Sequence, residues 1–463
     1  MDVKKKEADR LKKGDVIVVT IKRLGINGEG VGYYRRKAVF VPGALPQEVV
    51  KAKVVRSEPR YLEAELLQIE KRSPHRTRPD CPVYEQCGGC QLQHMDYGGQ
   101  LAEKEEIVRE SFARYTGLDK PPIRPMAGMA VPWAYRHKAQ LQAGPIGGRT
   151  VLGLYSPASH KLVDVAGCPV QQPDINQAAQ VIRDLIDELG LPPYQEKTKE
   201  GLLRTVVLRK SSHSGELQVT FVLSKDRLPK EKELIEGIAA RLPEVATIAV
   251  NIQPKNTPLV FGEHTRILWG KPVIEERLGD LSYRLSPRAF FQINPAQTTV
   301  LYDFVKEAAA LTGVEQVVDA YCGTGTIALW LAPQAAEVRG IEEIAEAVRD
   351  AQENARLNGI DNVRFFQGKS EELLPKWIKE GYRPDVIVVD PPRTGCDRKF
   401  LAAVLQARPK RFVYVSCNPA TLAKDCKVLI DGGFTLAWVQ PLDMFPQTSH
   451  VECVVLLKEG NGS

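Results

Sequence analysis

Three side chains capable of covalent and acid–base chemistry stand at the ends of apolar segments near the carboxyl end of the chain. Asp390 follows the apolar run DVIVV and begins the turn DPPR. Cys417 follows FVYVS and lies two residues before Pro419, where a helix is predicted to begin. Glu452 opens the last apolar run, ECVVLL, beside His450. A thiolate is a nucleophile and a carboxylate is a base, so this set could form a covalent intermediate and then remove a proton.

Taken alone, Cys417 would more readily be interpreted as a buried structural cysteine. Its position before a predicted helix predicts a lowered thiol pKa, because the amino end of a helix carries partial positive charge. Ser416 and Asn418 make the turn polar, and Asp390 ends the neighbouring predicted strand. These neighbours favour a reactive thiol.

A glycine-rich turn, QVVDAYCGTGTIAL, leads from a predicted strand into a predicted helix. Gly323 and Gly325 allow the backbone to approach a ligand closely. Glu342 ends the next predicted strand, at the spacing typical of a carboxylate that binds ribose hydroxyls. Ile327 and Ala328 occupy the place of the third glycine of a dinucleotide-binding turn. The turn therefore favours S-adenosylmethionine, which has no phosphate.

The elements that must position these residues form an α/β pattern from about residue 295 onward. Apolar strands alternate with helices there, which predicts a doubly wound, Rossmann-like parallel sheet closed by an antiparallel pair. Short alternating strands over 15–70 predict a small OB-like β-barrel, and 131–285 reads as a mixed α+β region with an amphipathic helix before it, at 99–117. We predict three domains: 1–72, 73–285 and 286–463, with the helix at 99–117 able to pack on the last.

Charge is distributed unevenly along the 463 residues, whose net charge is +6. Residues 1–80 contain 19 Lys and Arg against 11 Asp and Glu, so this part alone carries +8. A basic amino-terminal module is typical of polyanion binding, although a solvated basic tail has the same composition. The basic start of the chain has no apolar stretch after it and no membrane span is predicted, so we expect a cytoplasmic protein.

These motifs together resemble those of the RNA (uracil-5-)-methyltransferases. The resemblance lies in SPRAFFQINP, DAYCGTGT, DPPRTG, VSCNPATLAKD and HVECV, and the amino-terminal barrel resembles the TRAM module. It implies that Cys417 is the nucleophile, which adds to carbon 6 of a uracil, and that Glu452 is the base, which removes the proton from carbon 5. The residues that it implies contact S-adenosylmethionine or the target base are Gln292, Tyr321, Glu342 and Asp390.

Nine cysteines are too few for a disulfide scaffold in a chain of this length, but three of them are clustered. The spacing Cys-x5-Cys-x2-Cys resembles the branch of the family that carries a 4Fe–4S cluster. The resemblance implies four ligands: Cys81, Cys87, Cys90 and Cys168. A zinc site is the alternative, which the five-residue gap fits poorly. The remaining cysteines away from the proposed nucleophile are interpreted as structural: Cys322, Cys396, Cys426 and Cys453.

Further family features concern the RNA. YRHKAQLQ resembles a basic strand that faces RNA, which implies phosphate contacts for Arg136 and Lys138. Phe290 and Phe291 could stack on nucleotides or pack in the core. The TRAM module and the cysteine cluster favour 23S ribosomal RNA over the transfer RNA T-loop as substrate, and we expect a monomer.

Three other functions remain as alternatives. An amine-directed nucleic-acid methyltransferase could use the DPPR turn without Cys417. A radical S-adenosylmethionine enzyme would need a Cys-x3-Cys-x2-Cys spacing that this chain lacks. A non-catalytic RNA-binding protein would not need the intact set of Cys417, Glu452 and Asp390.

Overall fold

A computed structural model of the chain describes residues 11–460. The first strands form a closed barrel in the order β1–β2–β3–β5–β4. Alternate residues of β1, such as Ile17 and Val19, are buried inside it, while Val16 and Val18 face outward. This alternation confirms the predicted OB-like barrel, although residues 1–10 of the predicted 1–72 unit lie outside the described residues. The strands are β1 (Val16–Leu24), β2 (Gly30–Tyr34), β3 (Lys37–Val41), β4 (Val49–Ser57) and β5 (Tyr61–Lys71).

Helix α1 (Tyr97–Thr116) follows a cysteine-containing loop. Its first turn is capped by Asp96, which accepts a hydrogen bond from the backbone N–H of Gly99 at 2.8 Å. It ends at Gly117, whose φ of 76° is left-handed, as expected for a helix-terminating glycine. The predicted amphipathic helix is therefore present, two residues longer at its start.

The central region is a seven-stranded sheet in the order β12–β11–β10–β9–β6–β7–β8, with two helices packed against it. The mixed α+β character predicted for 131–285 is therefore confirmed. The strands are β6 (Lys138–Ile146), β7 (Arg149–Tyr155), β8 (Leu162–Asp164), β9 (Leu203–Lys210), β10 (Leu217–Leu223), β11 (Val245–Ile252) and β12 (His264–Gly270). The helices are α2 (Pro173–Leu189) and α3 (Glu231–Arg241).

A hairpin of β13 (Ile274–Leu278) and β14 (Leu281–Leu285) leads into the last sheet, whose order is β17–β16–β15–β18–β19–β21–β20. Its first five strands are parallel, and β21 is antiparallel to both neighbours. The doubly wound sheet is thus confirmed, and the closing strand lies inside the sheet while β20 forms the edge. The strands are β15 (Gln316–Ala320), β16 (Glu337–Glu342), β17 (Val363–Gln367), β18 (Val386–Val389), β19 (Arg411–Ser416), β20 (Phe434–Leu442) and β21 (Glu452–Glu459).

Helices cover both faces of this sheet, which explains why β18 is apolar throughout. One face packs against α4 (Pro295–Ala309), α5 (Thr326–Leu331) and α6 (Ala345–Leu357). The other packs against α7 (Ser370–Lys379), α8 (Arg398–Ala407) and α9 (Pro419–Asp431). Val108 and Phe112 of α1 are buried on this second face, so α1 covers the sheet although it lies far away in sequence. Within residues 11–460, no helix combines the length and the apolar composition needed to cross a bilayer.

Candidate active site

Strand register places the predicted ligand-binding residues in one row. Ala320 of β15 pairs with Ile341 of β16 on one side and with Val389 of β18 on the other. The residues that directly follow these three are Tyr321, Glu342 and Asp390. Because the strands are parallel, their carboxyl ends meet at one edge of the sheet, where such folds bind ligands.

The proposed nucleophile and base are neighbours across two antiparallel strands. Ser416 of β19 pairs with Cys453 of β21, which brings the next residues, Cys417 and Glu452, side by side. They open onto a cavity of about 1210 Å³ at the same edge of the sheet. All six predicted catalytic and cofactor-binding residues line it: Gln292, Tyr321, Glu342, Asp390, Cys417 and Glu452.

The turn that carries Cys417 is fixed by local hydrogen bonds. The side chain of Asn418 accepts hydrogen bonds from the backbone N–H groups of Ala420 and Thr421 and so caps α9. The amide of Asn418 and the hydroxyl of Thr421 also donate to the carbonyl oxygen of Arg393, at 3.1 and 3.2 Å. The DPPR turn and the cysteine turn are therefore locked together.

Burial and mutual repulsion dominate the electrostatics of the carboxyl pair. Glu452 is 3% exposed, and burial followed by the charge of Asp390 raises its pKa well above the usual value. Burial also raises the pKa of Asp390, which faces the cavity. Arg393 opposes these effects by lowering the pKa of Glu452. A carboxylate with a raised pKa accepts a proton more readily, which suits a general base.

The thiol of Cys417 departs from the expected direction. Burial, and then the charge of Glu452, raise its pKa above the ordinary value, while Arg393 lowers it. Loss of water and the neighbouring carboxylate outweigh the charge of Arg393. The lowered pKa predicted from sequence is therefore wrong for this state of the site, and Arg393 is the cation that favours the thiolate.

The glycine turn and Glu342 are joined directly. Glu342 accepts hydrogen bonds from the backbone N–H groups of Gly323, at 3.0 Å, and Ile344, at 2.8 Å. Gly325 has a φ of 81°, and a β-carbon there would lie 2.7 Å from the ring of Phe365. Both conditions require glycine. Tyr321 also adopts a left-handed φ, 65°, which marks a backbone strained at the cavity edge.

The segment that carries Gln292 places its two phenylalanines in different environments. Phe291 is 2% exposed and packs against Tyr283, with ring centroids 5.7 Å apart. Phe290 is 66% exposed and lines the cavity. Of the two uses considered for this pair, core packing therefore applies to Phe291, and only Phe290 is available to stack on a ligand. His137 holds the segment through its backbone N–H, which donates to the carbonyl oxygen of Ile293 at 3.2 Å.

Three contributors to the site were missed by sequence reasoning. Arg393 entered the sequence analysis only as the last residue of the DPPR turn, although its charge acts on both Cys417 and Glu452. Phe445 lines the cavity from the connection between β20 and β21, and no spacing marks it. Tyr302 on α4 also lines it and hydrogen-bonds Thr326 at 2.7 Å between the two hydroxyl groups.

Two of the four cysteines interpreted as structural border the same cavity. Cys322 and Cys396 contribute to its lining. Cys426 and Cys453 are fully buried. The pKa of each of these thiols is raised, mainly by burial, so none of them is activated as a nucleophile.

The four cysteines predicted to bind a cluster lie together, away from the active-site cavity. A small cavity of about 30 Å³ is lined by Cys81, Cys87, Cys90 and Cys168. None of the four forms a disulfide, and burial raises the pKa of Cys90 to about 11. Within residues 11–460, however, no group of three or more His, Cys, Asp or Glu side chains is arranged to hold a metal ion. The structure therefore brings the four thiols together without displaying a metal site.

Arg136 and Lys138 are less available to RNA than their motif implies. Arg136 lines the cysteine cavity, and its Nε is a buried donor without a hydrogen-bond partner in the described chain. The ammonium group of Lys138 lies 5.7 Å from the ring centre of Phe261, and burial lowers its pKa well below the usual value. Both residues are half-buried and their charged groups already face protein, so the phosphate contacts are not supported by this arrangement.

Comparison with known proteins adds independent information. Residues 211–460 match the family model described as tRNA (Uracil-5-)-methyltransferase, and residues 10–67 match the TRAM domain. An uncharacterized RNA methyltransferase of Halalkalibacterium halodurans is 53% identical over 453 residues, covering 97% of this chain and 98% of that protein. One of Bacillus cereus is 50% identical over 457 residues, covering 98% and 99%.

A solved structure matches nearly the whole chain. It is the tRNA (uracil-54, C5)-methyltransferase of Pyrococcus abyssi in complex with S-adenosyl-L-homocysteine, at 27% identity and a TM-score of 0.75. The match covers 95% of this chain and 100% of the other. Barrel, central sheet and doubly wound sheet therefore recur together in one solved protein.

Proposed function

Because the chain belongs to the tRNA (uracil-5-)-methyltransferase family of S-adenosylmethionine-dependent RNA methyltransferases, we propose that it methylates carbon 5 of a uridine through a covalent bond from Cys417 to carbon 6. The observation that carries this proposal is the pairing of Ser416 with Cys453, which sets Cys417 beside Glu452 at one cavity. An amine-directed methyltransferase would not need that pair.

The chemistry follows from the weakness of carbon 5 as a nucleophile. The thiolate of Cys417 adds to carbon 6, and the electrons of the carbon 5–carbon 6 double bond move onto the carbonyl as an enolate. Carbon 5 then takes the methyl group. Glu452 removes the proton left on carbon 5, the double bond forms again, and the sulfur leaves carbon 6 as a thiolate. Arg393 favours both the thiolate and the ionised carboxylate.

S-adenosylmethionine supplies the electrophilic methyl group when it is bound. The residues that fit it are those of the glycine turn and of the neighbouring strand ends. Gly323 leaves its backbone open to the cavity without a side chain, and Glu342 offers a carboxylate at the end of β16. The absence of a third glycine fits a ligand without phosphate. We propose Gln292, Tyr321, Glu342 and Asp390 as contacts to this molecule or to the target base.

We propose 23S ribosomal RNA as the substrate, with the transfer RNA T-loop as the alternative. The TRAM domain and the four gathered cysteines support the first. The likeness to the Pyrococcus abyssi enzyme, a methyltransferase of uracil 54 in tRNA, favours the second. We further propose that the enzyme acts as a monomer.

Mass-spectrometric mapping of 5-methyluridine in a strain that lacks the protein tests this proposal. We expect loss of the modification at one or more positions of 23S ribosomal RNA, restored by the wild-type gene and not by a Cys417→Ser variant. Loss confined to transfer RNA would replace our substrate by the alternative. An unchanged 5-methyluridine pattern in both RNAs, with an altered methylated amine instead, would favour the amine-directed activity.

We also propose that the four cysteines hold a 4Fe–4S cluster, in a structural role. Four thiolates are the ligands of such a cluster, and each binds a different iron, so they stand farther apart than ligands of one ion. The guanidinium of Arg136, whose Nε is buried at the same cavity, suits a group of negative charge.

Anaerobic purification should yield about four iron and four sulfide per chain on this proposal. Changing both Cys87 and Cys90 to serine should remove them together with the broad visible absorbance of a cluster. The matched control, Cys426→Ser, changes a buried thiol outside the cavity and should leave the iron in place. Stoichiometric zinc without sulfide would instead support the zinc alternative.

Arg393 gives the proposed mechanism a testable pH dependence. Its charge lowers the pKa of both Cys417 and Glu452. Both groups act in their ionised forms, so Arg393→Gln should raise both pKa values and move the acid limb of the rate profile to higher pH. At a fixed pH below that limb, the rate should fall roughly tenfold for each unit of displacement.

The measurement is single-turnover methylation over a pH series. The control Lys410→Gln removes the same charge at the opposite end of β19, beside Asp385, and should leave the profile unchanged. An acid limb at the wild-type pH in Arg393→Gln would contradict the role of Arg393.

A further inference from the structure

The connection between β20 and β21, here called the base loop (residues 443–451), leads directly to Glu452. It is buried along most of its length: the exposed fraction of Asp443, Met444, Gln447, Thr448 and Ser449 is at most 4%. Phe445, from the same loop, lines the active-site cavity. A connection between strands ordinarily lies on the surface, so its burial requires partners for its polar groups.

One group of partners comes from α1, which is not part of the sheet. The ammonium group of Lys104 donates to the carboxylate of Asp443 at 2.7 Å, and both side chains are 0% exposed. The same ammonium donates to the carbonyl oxygen of Phe445 at 3.2 Å. One buried cation thus binds both the first residue of the base loop and the residue that reaches the cavity.

A second contact lies one helical turn earlier. The amide of Gln100 donates to the side-chain oxygen of Gln447 at 2.9 Å and accepts from the backbone N–H of Gln447 at 3.0 Å. The backbone of Gln447 has a left-handed φ of 69°, which its surroundings must maintain. Its carbonyl oxygen accepts hydrogen bonds from Gln91 and Leu92, directly after Cys90.

Stability alone is a weak reason for such a pair. Removing two charges from water costs free energy that their attraction often fails to recover, and one carboxylate oxygen of Asp443 has no hydrogen-bond partner in the described chain. The contacts instead fix a unique position for a loop that has no regular structure of its own. The loop residues that form these contacts all lie within nine residues of Glu452 in the sequence.

We propose that Lys104 and Gln100 are positioning residues, which act through the base loop to hold Glu452 against carbon 5 of the bound base. This inference rests on the proposed function and adds to it a specific step. Cys417 belongs to the turn after β19, and that turn is not part of the base loop. Loosening the loop should therefore slow proton removal more than thiol addition or methyl transfer.

Slower removal of the carbon 5 proton predicts a distinctive product. When proton removal is slow, the sulfur cannot leave carbon 6, and the methylated RNA stays bonded to Cys417 through a thioether. This adduct survives denaturation, so it can be counted on a denaturing gel with labelled RNA. A protein that is merely less stable would lose all steps together and would not accumulate it.

The experiment compares Lys104→Met and Gln100→Met with the full-length wild-type protein. A misplacement of about 1 Å in an active site can cost on the order of 10²-fold in rate. We expect kcat to fall roughly 10- to 100-fold and the adduct fraction at steady state to rise by about tenfold, with KM for S-adenosylmethionine changed less than about twofold. Gln100→Met removes only hydrogen bonds between uncharged groups. It tests the positioning role if Lys104→Met does not fold.

The matched control is Arg411→Met, which breaks the 3.2 Å pair with Glu315 at the opposite end of the sheet. It should leave the adduct fraction at the wild-type level. A folded Lys104 or Gln100 variant with low kcat and a wild-type adduct fraction, or with unchanged kcat, would overturn the inference. If Glu452→Gln also traps no adduct, the proposed function fails; if it traps adduct and the variants of α1 do not, only the inference fails.

Discussion

Replacing Cys417 with serine is expected to lower methylation of RNA by at least about 10⁴-fold, the scale on which covalent enzymes lose activity when their nucleophile is removed. A hydroxyl ionises far less readily than a thiol and cannot supply the anion that adds to carbon 6. The site increases this difference, because burial and Glu452 already disfavour a negative charge at this position. Rate should be measured as methyl transfer to RNA under single-turnover conditions.

Binding of the cofactor separates a chemical defect from a structural one. Cys417 lies after β19, whereas Glu342 and the glycine turn lie at β16 and β15, so Cys417→Ser should bind S-adenosylhomocysteine like the wild type in calorimetry. The control Cys426→Ser, in the following helix and away from the cavity, should retain activity. Near-normal turnover of Cys417→Ser would refute the covalent mechanism and favour the amine-directed alternative.

Much of the sheet could be predicted because its strands have clear local patterns. The strands ending before Tyr321, Asp390 and Cys417 are apolar runs bounded by polar turns, which is typical of parallel strands buried on both faces. Since such strands end at one edge, their following residues could be expected together without knowing the register. Predicting that Glu452 lies beside Cys417 also required its strand to run antiparallel next to β19. The sequence pattern predicted a closing antiparallel pair but did not fix which strand it would join.

The remaining features depend on long-range contacts that leave no local pattern. Phe290 and Phe291 are adjacent and chemically identical, yet Phe291 is buried against Tyr283 and His137 while Phe290 is exposed. The pKa of Cys417 is raised by burial and then by the charge of Glu452, which lies 35 residues later in the chain. Lys104 would be taken for a solvated helical lysine, because its partner Asp443 is distant in sequence.

Glu452→Gln should reduce turnover by about 10²–10⁴-fold, the usual contribution of a general base, and should do so by trapping the enzyme on its substrate. Glutamine keeps the size and the hydrogen-bonding oxygen of glutamate but cannot accept the proton from carbon 5. The change also removes a negative charge that raises the pKa of Cys417, so formation of the thiolate should become easier. Addition and methyl transfer then proceed, and elimination stops.

The trapped species identifies the blocked step. Mass spectrometry of the denatured complex should find one protein bonded to one RNA that carries the new methyl group. An adduct without methyl would place Glu452 earlier in the reaction, and a folded variant without any adduct would remove it as the base. His450→Asn is the control, because burial lowers the pKa of His450 to about 4 and leaves a neutral imidazole that could itself accept a proton near Glu452. If His450→Asn keeps turnover within about tenfold while Glu452→Gln traps methylated RNA, the proton of carbon 5 must leave through the carboxylate that β21 places beside Cys417.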